Sequence, residues 1–174
     1  IKNIKTMALN TIGNGNLNIQ PMLRGRVTEI NNVKVETLKI NKNVQWVLKR
    51  DRAFSWANES PLGTRLLSGQ WWPQDYEGPL LVSIGDEIAK GLKISIGDKL
   101  KFNILGRNFE ARVFNTREIK WENMNINFIF ILSKSNIENA PHTWIATTSA
   151  KNNIENNNFI EQIVTQFANI STIS

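Results

Sequence analysis

Few side chains in this sequence belong to types that perform covalent chemistry, and their spacing limits what those few can do. His142, behind Pro141, is the single histidine and so the one imidazole base available. A hydrolase built on it would need a nucleophile, yet nothing resembling a nucleophile elbow surrounds Ser83 or Ser149. Asp86 and Glu87 are adjacent carboxylates, but neighbours on a helix diverge by about 100°. They read as first-turn acids complementing a helix dipole rather than as an acid–base pair. Cysteine is absent, which excludes disulfides, thiolate metal sites and a cysteine nucleophile. One histidine without cysteine also removes most zinc sites. No Gly-x-x-x-x-Gly-Lys-Ser/Thr phosphate loop occurs. The residues argue against an enzyme.

What remains is suited to contact. Arg24 and Arg26 lie two apart, so on a strand they project from one face, able to grip a carboxylate or phosphate or simply to meet solvent. Arg50 and Arg52 flank Asp51, a spacing that fits either a locally paired surface or a contact point. Trp71-Trp72 is a tandem of the residue most favoured in interface anchors. If the pair lies in a strand, one ring faces the core and the other is exposed. Gly69, Gly97-Asp98 and Gly106 read as turn residues.

The elements that must position these residues follow from periodicity. Residues 2–12 carry apolar side chains at helical spacing, with Gly13 as a stop and 14–16 as a turn. Residues 19–30 alternate as a strand, and Val44, Trp46 and Leu48 suggest a second one. Further strands are expected at 80–84, 100–104, 109–113, 125–132 and 143–148, with a short helix over 86–92. Gly106-Arg107 is expected to form a hairpin loop of the type II′ kind. Residues 154–168 give the clearest helix, with Phe159, Ile160, Ile163, Val164 and Phe167 on one stripe. The expected class is α+β, with 1–31 and 141–174 as one split lobe and 32–140 as an inserted β-rich lobe.

The chain has 174 residues, enough for one domain or two small lobes. Its net charge of +6 and pI near 9.7 would suit a polyanion or anionic lipid, but the cations are scattered. No run reaches the roughly 18–20 apolar residues that span a bilayer. The sequence begins at Ile1 rather than Met, so a cut from a longer chain is expected, with apolar spans beyond both ends.

Four segments carry a family resemblance. Leu67-Ser68-Gly69-Gln70-Trp71-Trp72 resembles a Leu-x-Gly-Arg-aromatic-aromatic motif, with Gln70 in place of Arg. Ile88-Ala89-x-x-Leu92, followed by Ile96-Gly97-Asp98-Lys99-Leu100, resembles a helix that leads into a Gly-Asp turn. Residues 21–28, PMLRGRVT, and Ala140-Pro141-His142-Thr143 resemble motifs of a narrower subgroup. In this order they resemble the MacB-like periplasmic core domain of FtsX-family ABC transporter permeases, YbbP-like subgroup. The resemblance implies a porter-like α/β lobe interrupted by a sabre-like β insertion. It implies a periplasmic domain of a bacterial inner-membrane protein, coupling ATP-driven transmembrane motion to export or extraction of lipidic cargo or to a periplasmic partner. ATP would bind a separate cytoplasmic ATPase subunit, leaving this domain without a cofactor. An esterase-like or carrier protein is the implied periplasmic partner, membrane lipid lies nearby, and no nucleic acid is involved. A soluble binding module for anionic lipid or polyanion is the alternative. Either way, the candidate contact residues are Arg24, Arg26, Arg50, Arg52, Trp71 and Trp72.

Overall fold

Alternation dominates the middle of the chain, and in the computed structural model it produces a mostly β fold with a mixed sheet and few helices. The structure describes residues 18–61, 63–120, 127–147 and 153–166. The expected 2–12 helix and the 14–16 turn lie outside these. Two compact units form, Ile1–Ile19 with Ala146–Ser174, and Gln20–Ile145. In the first, the helix Asn153–Gln166 is described, with Ile163 buried and Ile160 half-buried. Residue 167 and the side chains of residues 159 and 164, the rest of the expected stripe, lie outside what is described.

The described residues hold nine strands: β1 (Asn18–Ile30), β2 (Val33–Lys34), β3 (Arg52–Trp56), β4 (Leu66–Gly69), β5 (Leu81–Gly85), β6 (Lys99–Ile104), β7 (Arg107–Arg117), β8 (Phe130–Leu132) and β9 (Thr143–Thr147). Six of them close a ring. β1 pairs antiparallel with β3, β3 parallel with β8, and β8 antiparallel with β5. From there β5 runs parallel with β7, β7 antiparallel with β6, and β6 returns antiparallel to β1. The result is a small barrel, whose interior a six-strand ring fills with side chains. Leu23 and Val27 face in from β1, Val82 and Ile84 from β5, and Leu100 and Ile104 from β6. At the centre Phe54, Phe102 and Phe130 meet one another with ring centroids 5.2–5.6 Å apart. Such aromatic pairs add about 0.5–1.5 kcal/mol each beyond the area they bury.

β1 hydrogen-bonds to β3 and β6, and β9 joins β1. Residues 20–30 and 141–145 therefore sit with the middle of the chain, whereas the expected boundaries at 31 and 141 placed them with the termini. Two register shifts shape the barrel. One, between Val27 and Glu29, restores Ile30 to the inner face opposite Leu100. The other, at Phe114, turns Asn115 and Arg117 to the face of Ser83.

Helix α1 (Trp46–Lys49) stands where alternation suggested a strand. Val44 and Val47, three apart, are the pair that buries, while Trp46 remains 39% exposed. That is helical spacing. α2 (Asp86–Leu92) begins and ends as expected, burying Ile88, Ala89 and Leu92. Asp86 pairs with Lys90 at 2.6 Å and accepts from Thr116 at 2.9 Å. The β6–β7 loop is Leu105-Gly106 rather than Gly106-Arg107, because Ile104 and Arg107 already pair. Both loop residues have positive φ, 48° and 83°, which makes a type I′ rather than type II′ turn. Asp98 closes a turn on Ser95, its carboxylate accepting the Ser95 N–H at 2.7 Å, with Gly97 at φ 94°. Only β8, Phe130–Leu132, is strand within the expected 125–132, of which 125–126 lie outside the described residues.

Candidate functional site

The six candidate residues fall on three separate parts of the barrel. Arg24 and Arg26 both point outward from β1 and are exposed, as their spacing required. Their register partners are Ala53 and Asn103. Arg52, however, pairs with Gly25, which puts it on the opposite face of the sheet from Arg24 and Arg26. The four arginines do not converge on one ligand.

Arg52 is half-buried and committed to Trp46. Its guanidinium lies 4.7 Å from the centre of that indole and donates through Nη2 to the Trp46 carbonyl. Its Nε is buried without a hydrogen-bond partner among the described residues. Arg50 caps α1 in extended conformation and is exposed. Among the described residues no ion pair joins Asp51 to Arg50 or Arg52.

Trp71 and Trp72 are not in a strand, and strand alternation does not apply to them. The rings stack on each other, centroids 4.3 Å apart and tilted 36°. Trp72 is buried and donates Nε1–H to the Ala57 carbonyl at 2.9 Å, while half-buried Trp71 donates to Asn58 at 3.1 Å. With Leu81, Phe128 and Ile131 they form a second apolar layer on the outer wall of the barrel. Met22 and Ala53 pack against this layer, so Arg24, beside both, lies at its rim. The pair is thus a structural clamp with one partly accessible ring.

Arg117 escaped the sequence reading, since nothing in Asn115-Thr116-Arg117 distinguishes it from a surface strand end. It is buried on the outer face, donating to Ser83 Oγ at 3.1 Å and to the Phe128 and Ile129 carbonyls. Desolvation pulls its pKa down to about 9, which leaves it cationic at neutral pH. Among the described residues it has no carboxylate partner.

His142 is held by packing. Its Nδ1 lies 2.8 Å from the Ala140 carbonyl, and its ring meets Trp56 and Trp144 edge-on. Among the described residues no group of three His, Asp or Glu side chains could hold a metal ion. An open hollow of about 530 Å³ is lined by Glu77, Pro79, Leu80, Phe109, Glu110 and Ile137, apart from every candidate residue.

No family model matches the chain. A curated relative, the uncharacterized ABC transporter permease YbbP of Escherichia coli K12, is 29% identical over 153 residues. The match covers 88% of this chain and 18% of that protein, so the chain spans less than a fifth of the relative's length. A crystallised domain from Porphyromonas gingivalis, provisionally named a permease protein, overlaps 95% of this chain and 69% of its own. At 12% identity and a TM-score of 0.48, that overlap is too loose to carry an argument. Across most of its length, then, the chain is related to a segment of an ABC transporter permease of the YbbP kind.

Proposed function

We propose that the chain is an extracytoplasmic domain of an FtsX-family permease, placed beside the inner membrane and moved by a cytoplasmic ATPase subunit. The observation that carries this is the 29% identity to YbbP over 88% of the chain. In this reading the ends of the chain form a split porter-like lobe, and the barrel is the sabre-like insertion. Motion of membrane helices enters through the termini and reaches lipidic cargo, or an esterase-like or carrier partner, through the barrel. The barrel supports such a role because its core is closed and filled, giving a body that moves without deforming.

The absence of cysteine makes the test direct. Arg107→Cys, at the exposed start of β7, is introduced into a cysteine-free version of the parent permease. A membrane-impermeant maleimide should label it in cells whose inner membrane is intact. Labelling only after the inner membrane is lysed places the domain in the cytoplasm and refutes the reading.

A further inference from the structure

The net positive charge is concentrated in one stretch of the chain. The excursion from β2 to the start of β3, residues 33–52, carries Lys34, Lys39, Lys42, Lys49, Arg50 and Arg52 against Glu36 and Asp51. Four of the chain's six net positive charges thus lie in 20 residues. All of these cations but Arg52 are exposed. Among the described residues none of them pairs with a carboxylate, whereas Lys99 and Lys101 on β6 bind Glu110 and Glu29.

This excursion is not a loose tail. Val35, Val44 and Val47 are sunk in the barrel core, and the Gln45 N–H binds the Asn41 carbonyl at 3.1 Å. Trp46 stands exposed among the cations, braced by Arg52. Exposed lysines in one excursion with an accessible indole match the two layers of a bilayer surface, anionic headgroups and the interfacial zone that tryptophan prefers. A single-stranded nucleic acid would also satisfy the lysines and could stack a base on the ring; the bilayer-adjacent placement proposed above is what favours lipid.

We infer that residues 33–52 form a docking surface for a membrane containing anionic lipid, with Trp46 entering the headgroup region. The inference builds on the bilayer-adjacent placement proposed above and adds the surface that meets the lipid. It is tested on the 174-residue chain itself, so its outcome is independent of the maleimide labelling of the permease.

Sedimentation with vesicles of phosphatidylcholine alone, and of phosphatidylcholine with one-third phosphatidylglycerol, reads the partition coefficient. The chain should bind the anionic vesicles at about 0.1 M salt and release them at about 1 M, where the screening length falls to about 3 Å. Each lysine near the surface contributes about a fivefold factor, so Lys39→Gln/Lys42→Gln/Lys49→Gln should weaken partitioning about a hundredfold. Trp46→Ala should weaken it further at fixed charge. Arg24→Gln/Arg26→Gln, on another wall of the barrel, should bind as the parent does. All three lysines are exposed, so the triple variant should keep the parent's near-ultraviolet circular dichroism. Equal binding by the triple variant and the parent overturns the inference. So does indifference to phosphatidylglycerol, or an equal loss on removing Arg24 and Arg26. Tighter, Trp46-independent binding to a DNA duplex at the same salt would overturn it in favour of a nucleic-acid surface.

Discussion

Gly25 sits where β1 is flanked by β3 and β6, opposite both Arg52 and Ile104. A Cβ there would lie 2.5 Å from the Asn103 carbonyl oxygen, 2.7 Å from Ile104 Cγ1 and 3.1 Å from Ile104 Cα. Close carbon–oxygen contacts between strands normally fall at about 3.3–3.6 Å, so Gly25→Ala is short by most of an ångström. The nearest obstacle is backbone, and relief requires β1 and β6 to part where the ring closes. Overpacking of this kind costs about 1–3 kcal/mol. Against it stands a gain of about 0.4–1 kcal/mol from the reduced freedom of the unfolded chain. The net loss is about 1–2 kcal/mol, a Tm lower by about 2–8 °C at this chain length. Urea unfolding followed by tryptophan fluorescence measures it. Ile104→Ala removes the Cγ1 contact but not the carbonyl, at its own cost of about 2–5 kcal/mol, so in that background the added cost of Gly25→Ala should shrink only in part. A Gly25→Ala protein within about 0.5 kcal/mol of the parent, or above it, would refute the close approach and the ring closure argued from it.

Three further perturbations test other parts of the fold. The Asp86 carboxyl is held below its usual value, first by the Lys90 hydrogen bond, then by Thr116 and the Lys90 charge, with burial opposing. Its stabilisation is present above the unfolded carboxylate pKa of about 3.9 and is lost as pH falls through the depressed folded value. Asp86→Asn should therefore cost under about 1 kcal/mol at neutral pH, Lys90 being well solvated. The difference between the two melting curves should close in acid. Lys93 ends α2 at φ 57°, its N–H reaching the Ala89 and Lys90 carbonyls. Lys93→Gly should raise stability by about 0.5–1 kcal/mol in the same urea assay. Trp72→Ala should cost about 3–5 kcal/mol, and Trp71→Ala less than half as much. Equal losses would show both rings to be interior.

Local signals were read well and non-local ones were not. The α2 helix carries its own punctuation, with acids in its first turn and a Gly-Asp turn following, and its limits match the expectation. β1 from Leu23 to Val27 and β6 throughout alternate cleanly because one face of each lies inside the barrel. In contrast, Val44, Trp46 and Leu48 alternate by accident, and the burial of Val44 and Val47 against the core selects a helix. β3 was missed because Arg52 and Ser55 break its apolar pattern, although Phe54 is at the barrel centre. The stacked placement of Trp71 and Trp72 follows from carbonyls at Ala57 and Asn58, more than a dozen residues away. Arg117 is buried only because a bulge at Phe114 turns it under the outer layer, and bulges leave no mark in periodicity. Arg24 and Arg26 were placed correctly on one exposed face, yet their separation from Arg52 depended on register, which one strand's sequence does not encode.

The closed ring also decides how the unit yields under load. In an open sheet the outermost strand peels away, its hydrogen bonds failing one after another. In β1, Leu23–Gly25 pair with β3 and Gly25–Ile30 pair with β6, so the two ladders meet at Gly25. Tension along β1 therefore loads both ladders in shear, and many bonds must fail together. β9, which carries the chain back out, is also hydrogen-bonded to β1. A pull between the incoming and outgoing strands therefore acts on that pair as well as on the ring.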